Sequence, residues 1–172
     1  MLYLAGRFEQ AEVCIAQAEA TLQTQPPTPA TDVMLALATL HRGAIAAARG
    51  EAAQAITQIT AAQVRLPQDE HLTHARGYYG LGLAYELSGQ PTQAEENYLR
   101  SSNSATKAGV QFLAINARCA AAQVQIAQGR LRQAQATAEA AVTLAEGDRP
   151  PPLGLAWCIL GGIALERNEL EH

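Results

Sequence analysis

The sequence predicts an all-α fold made of helix hairpins stacked side by side, and three observations predict it. First, the hexad Gly-x-x-x-Gln-Ala occurs four times, at Gly6 to Ala11, Gly50 to Ala55, Gly89 to Ala94 and Gly129 to Ala134, and Asn168 opens what would be a fifth copy. The glycines are 44, 39 and 40 residues apart. A fixed period of this size marks one supersecondary unit repeated along the chain. Second, 36 of the 172 residues are alanine, the strongest helix former, while valine and isoleucine are few. Third, the prolines punctuate: Pro26, Pro27 and Pro29 fall in one connection, Pro67 in another and Pro150 to Pro152 in a third. In such an array each unit touches only its neighbours, and no single central core forms.

The elements follow in order as one domain over 1–169, in units of about 1–27, 28–67, 68–109, 110–149 and a shortened 150–169, with about eight main helices. Each unit reads as helix, short turn, helix. The third shows the scheme most fully. Asp69 is the expected N-cap, and Tyr78, Leu81, Tyr85 and Leu87 then keep a helical period. Gly89 stops that helix, because the residue after a helix end usually needs a left-handed backbone. Pro91 opens the next helix, where its missing N–H costs nothing. Ala94, Tyr98 and Ser101 share a face of this second helix, which runs to about Ala108 before Gly109. The fourth unit repeats the plan over Val110 to Gln128 and Leu131 to Glu146. Gly43, Gly82, Ala122 and Gly161 each lie seven residues before their turn and are expected to face the repeat alanine where the paired helices cross.

Composition narrows the function. The net charge is −4, the basic residues are scattered, and only Lys107 is lysine. With no basic stripe to neutralise phosphates, direct nucleic-acid contact by this segment is not expected. The three cysteines are an odd number at no ligand spacing, which suits a reducing compartment. The longest apolar run, Leu153 to Leu165, is shorter than the roughly 20 residues a bilayer span takes. The amino terminus lacks the basic and apolar regions of a secretory leader, so the expected location is the cytoplasm. Leu170-Glu171-His172 reads as the remnant of a purification tag. The chain opens five residues before its first repeat glycine, so a segment of a larger protein is expected.

These residues resemble the tetratricopeptide repeat, whose signature places Trp, Leu-Gly and Tyr on the first helix and Ala and an aromatic on the second. The third unit carries Tyr78, Leu81, Gly82, Tyr85, Ala94 and Tyr98, and the last carries Trp157, Leu160, Gly161 and Ala164. The second and fourth units match through Gly43, Ala55, Ile59 and Ala62, and through Ala122, Ala134 and Ala141. The resemblance implies a right-handed superhelix, a TPR-like α-solenoid. The usual repeat has 34 residues. The longer spacing here, with Ala127-Gln-Gly-Arg-Leu131, Pro152-Leu-Gly-Leu-Ala156 and Glu166-Arg-Asn-Glu169, resembles the sensor domain of MalT-type regulators of the LuxR family. In those ATP-dependent transcriptional activators an NTPase module precedes the helical part, a DNA-binding module follows it, and the helical part receives the inducer. The alternative is a generic scaffold for protein–protein interaction.

In a right-handed stack the first helices line the concave wall. The residues expected there are Arg76, Tyr79, Leu83 and Glu86 in the third unit, then Asn116, Cys119, Gln123 and Ile126 in the fourth. Such a groove suits a protein segment or a small polar inducer; the competing reading is an ordinary solvated helix face. Gly77 and Gly80, which weaken a helix, are expected to thin the wall beside Tyr79. Cys119 and Cys158, one repeat apart, are expected to face the same groove as free thiols. Asp69, Glu70, His71 and His74 lack the order of a zinc-binding helix, Gly80-Leu-Gly82 follows no strand, and no serine or cysteine has an evident histidine partner. No metal, cofactor or catalysis is therefore expected. The Trp157, Leu160 and Ala164 face of the last helix is expected to be uncovered and to favour self-association.

Overall fold

The computed structural model describes residues 7–145 and 150–167, and the described residues form eight α-helices with no strand. They are α1 (Phe8–Gln23), α2 (Pro29–Ala48), α3 (Ala52–Arg65), α4 (His71–Leu87), α5 (Pro91–Lys107), α6 (Gln111–Ala127), α7 (Leu131–Thr143) and α8 (Pro152–Glu166). No described helix is long and apolar enough to cross a membrane. Gly6, Asn168 and Leu170 to His172, and the expected end of α7 at Glu146, lie outside the described residues.

The repeat glycines close the hairpins as expected. Gly50, Gly89 and Gly129 have φ of 81°, 70° and 71°, and Gly109, between α5 and α6, has 70°. Each turn adds the same backbone bond from the residue after the glycine to the carbonyl five residues back, for example Gln90 N–H to the Tyr85 carbonyl at 2.9 Å. This is the Schellman motif, which satisfies carbonyls a helix end would otherwise strand. Pro29, Pro91 and Pro152 sit in the first turn of α2, α5 and α8. Asp69 is not the cap of α4. The helix begins at His71, Glu70 precedes it without a capping side chain, and the Asp69 carbonyl accepts from His71 N–H at 2.7 Å.

Contacts run between helices adjacent in sequence, α2 with α3, α4 with α5, α6 with α7, and between alternate helices α2–α4, α4–α6 and α6–α8. The helices starting at Pro29, His71, Gln111 and Pro152 thus form a connected row, and α3, α5 and α7 each pack on the row member before them. The buried residues form several small clusters along this row, such as Ala46, Ala55, Ile59, Leu81 and Ala84, then Ala94, Tyr98, Ala121 and Val124.

The crossing within a hairpin differs from expectation by one turn. A Cβ on Gly82 would lie 2.5 Å from the Tyr98 ring, and one on Gly43 would lie 2.5 Å from Ile59 Cγ1. The glycines therefore receive the residue four after the repeat alanine. Helical side chains lean toward their own N-terminus, so the spot opposite Gly82 is covered from one turn further along α5. In the fourth unit both partners are small, Ala122 and Ala138, and both are fully buried.

Candidate functional site

The row of α2, α4, α6 and α8 separates the expected groove residues into a seam and an open face. Leu40, Tyr79, Cys119 and Cys158 occupy equivalent repeat positions. A Cβ on Gly77 of α4 would lie 3.2 Å from Leu40 Cδ1 of α2. The Tyr79 hydroxyl accepts from Asn116 Nδ2 of α6 at 3.0 Å. Cys119 Sγ lies 3.9 Å from the Pro152 carbonyl of α8. This position is thus the joint between successive row helices.

Two expectations are corrected accordingly. Cys119 is fully buried, packed with Ile115, Ala122 and Ile159, and does not line a groove. Burial pushes its thiol up to about 11, so it stays protonated at neutral pH. Cys158 is exposed, so the two thiols do not share one surface. Gly77 and Gly80 also have packing reasons that do not involve Tyr79. A Cβ on Gly77 would collide with the Gln63 amide, which donates to the His74 carbonyl at 3.2 Å, and one on Gly80 would lie 2.8 Å from Ile59 Cδ1. They let α4 sit close to α2 and α3.

Tyr79 and Asn116 come together as a half-buried pair. The Tyr98 ring stands edge-on to Tyr79 with centroids 5.3 Å apart, and its hydroxyl donates to Glu86 Oε2 at 2.8 Å. Burial raises the Tyr79 hydroxyl, the Asn116 bond opposes this, and the Glu86 charge adds to the rise. Burial raises Tyr98 further, helped by its bond to Glu86. Both phenols remain neutral donors and acceptors. Arg76 and Gln123 are exposed, as is the Glu86 residue, while Leu83 is half-buried against the Ala46, Ala55 and Ile59 cluster. Arg76, Glu86 and Gln123 therefore remain accessible, while Leu83 and Asn116 are half-buried. Four surface depressions lie at Phe8 and Arg49, at Leu22 to Leu35, at Gly129 to Arg132 and at Pro150 to Trp157, and none of these is lined by an expected groove residue.

His74 is occupied in the chain's own architecture: Nε2 lies 2.9 Å from the Pro67 carbonyl, and the ring stacks on Tyr78. Among the described residues no group of three or more His, Cys, Asp or Glu side chains is placed to hold a metal.

Sequence reasoning missed two features. On the row face, His41 of α2 lies within the field of Arg76; burial lowers its pKa first, and the Arg76 charge lowers it further. A histidine whose folded pKa is below the unfolded value of about 6.5 protonates more readily when unfolded. Its contribution is therefore absent well above pH 6.5 and becomes destabilising as pH falls through that value. The melting temperature is expected to drop as pH is lowered from about 7 to about 5, with part of the drop missing in His41→Gln. Equal pH dependence in both proteins would contradict the assignment.

The second is a polar knot joining α5, α6 and α7. Glu95 Oε1 accepts from Gln125 Nε2 at 2.7 Å and Gln133 Nε2 at 3.2 Å, and Glu95 Oε2 pairs with Arg130. Glu12, at the equivalent position of α1, pairs with Arg49 at 2.6 Å. The signal was available in the repeat register, since Glu12 and Glu95 each follow the repeat alanine. Comparison with protein-family models, with curated proteins and with solved structures returns no match.

Proposed function

We propose that this chain is a recognition module of tetratricopeptide type, in which the row of first helices forms the concave wall of a right-handed superhelix and docks a protein segment. The observation that supports this reading is the serial contact of α2, α4, α6 and α8, together with the exposure of Arg76, Glu86 and Gln123 on α4 and α6. A face spread over several helices, with a cation, a carboxylate, an amide and an aliphatic side chain, suits an extended or helical segment of mixed charge. The long repeat and its resemblance to the sensor region of MalT-type, LuxR-family regulators support a role in biasing a larger bacterial transcriptional regulator between resting and active states.

A second reading, inducer sensing, is favoured by one specific feature. The Tyr79–Asn116 hydrogen bond joins two row helices at 3.0 Å, and a polar small molecule competing for it would alter their spacing. The experiment is a peptide selection on the immobilised protein, paired with a thermal-shift screen of sugars and metabolites. Selected peptides are expected to lose about tenfold or more in affinity, about 1.4 kcal/mol, to the Arg76→Glu, Gln123→Glu double variant. Its melting temperature should stay unchanged, because both side chains are exposed. Peptides that bind this variant as tightly as the parent overturn the docking reading. A melting shift with a small molecule that vanishes in Asn116→Ala favours the sensor reading instead.

A further inference from the structure

Glu86 is a carboxylate in a position where the chain supplies it with no cation. It stands in the last turn of α4, where the helix dipole already presents negative charge and a cation is the favourable neighbour. No basic residue occupies that turn. Arg49 and Arg130 stand beside the repeat glycines before and after Gly89, and both are committed elsewhere, to Glu12 and Glu95. Glu86 is exposed and forms no ion pair among the described residues. The repeat does not require an acid here, since the residues three before Gly50 and Gly129 are Ala47 and Ile126.

The carboxylate is nevertheless held in place. Tyr98, 2% exposed, donates its hydroxyl to Glu86 Oε2 at 2.8 Å, and among the described residues this is the one hydrogen bond to the Glu86 side chain. The residues equivalent to Tyr98 in α3 and α7 are Ile59 and Ala138, so the phenol too belongs to the third unit alone. The Tyr79 ring stands edge-on to Tyr98, and the Glu86 charge reaches the Tyr79 hydroxyl. Tyr79 and Tyr85 are half-buried around the same cluster. A fixed carboxylate, the negative end of a helix and electron-rich rings thus converge, and each of them attracts a cation.

We propose that Glu86 is the receptor for a lysine or arginine side chain of the docked segment, seated on the carboxylate that Tyr98 fixes and beside the Tyr79 ring. In the source of the cation the inference rests on the docking reading; in the chemistry of the receptor it stands alone. The occupant follows from charge complementarity. An ammonium or guanidinium group on an alkyl stem can bond Oε1, the carboxylate oxygen that Tyr98 leaves unengaged, while its methylenes cover the rings. A hydrated inorganic ion has no such stem.

The test has two arms. In the first, the full chain labelled in its tyrosine rings is titrated by NMR with butylguanidinium, butylammonium and sodium at constant ionic strength. The two butyl cations are expected to move the Tyr79 and Tyr98 signals saturably, and sodium is not. Glu86→Gln keeps an acceptor for the Tyr98 hydroxyl and so keeps the fold, yet the saturable shifts should vanish. In the second arm, peptides selected on the immobilised protein are expected to share a lysine or arginine at one position. Its replacement by glutamine should weaken binding to the parent about tenfold and change nothing on Glu86→Gln. Butyl cations that give no saturable shift, or the same shift in Glu86→Gln, overturn the inference. Peptides that bind Glu86→Gln as tightly as the parent, but fail on Arg76→Glu, Gln123→Glu, overturn it while leaving the docking reading standing. Butyl cations that bind where no peptide can be selected overturn the docking reading, and with it the segment as the source of the cation.

Discussion

Gly82→Ala is expected to lower the melting temperature by several degrees, although alanine normally strengthens a helix. The gain from replacing a mid-helix glycine is about 0.5–1 kcal/mol. Against it stands a new Cβ 2.5, 2.6 and 2.9 Å from three Tyr98 ring atoms. Tyr98 cannot swing aside: it is 2% exposed, its hydroxyl is held by Glu86, and its ring is edge-on to Tyr79. Overpacking of this sort costs about 1–3 kcal/mol, so it outweighs the helix gain. Tyr98→Ala alone should cost about 3–5 kcal/mol, as truncation of a buried aromatic does. In that background the sign reverses, and Gly82→Ala becomes stabilising because the obstruction is gone. A double-mutant cycle read by thermal melts measures the coupling. If alanine at position 82 stabilises the wild-type protein by its full helix propensity, the crossing described for α4 and α5 is wrong.

The second large effect is expected at Glu95, which is 8% exposed. Glu95→Ala strips the acceptor from the Gln125 amide, which is 1% exposed and whose Oε1 already finds no protein partner. It also leaves Arg130 without its carboxylate. Breaking a fully buried pair costs about 3–5 kcal/mol, and stranding a buried amide donor about 1–3. The Arg130 side chain is 36% exposed, so water replaces part of what it loses. The fully buried range for the ion pair therefore does not apply, and about 2–3 kcal/mol in all is expected. Glu95→Gln should cost less, because it keeps an acceptor of the same shape. Urea unfolding reads this as a lower midpoint at unchanged slope. A wild-type midpoint for the alanine variant would remove the knot from the list of what holds α5, α6 and α7 together.

The architecture was legible because its signals are local. Gly50, Gly89 and Gly129 needed a positive φ, Pro29, Pro91 and Pro152 needed a first helical turn, and the period tied these into hairpins. The helical class and most boundaries follow from those residues alone. The expected groove was legible only in part, because periodicity fixes where a residue sits on its helix but not which neighbour lies over it. Arg76 and Gln123 point to open surface, whereas Cys119 at an apparently similar angle is sealed by the start of α8. Contacts with the next hairpin decide this, as with Cys119 Sγ 3.9 Å from the Pro152 carbonyl. Glu95 escaped notice for a related reason. Its partners Gln125, Arg130 and Gln133 belong to the next hairpin, so only the recurrence of Glu12 and Glu95 after the repeat alanine hinted at it, and no spacing within one unit did.

The reach of the contacts has a consequence for how the chain is made. The extensive interactions extend no further than from one helix to the second after it, so no distant segment must be awaited before a hairpin can consolidate. Loop-closure entropy is spent in small instalments, which favours rapid folding. During synthesis α2 and α3 can lock together while α6 and α7 are still untranslated, so the nascent polypeptide lengthens as an already ordered rod rather than waiting for its last residue.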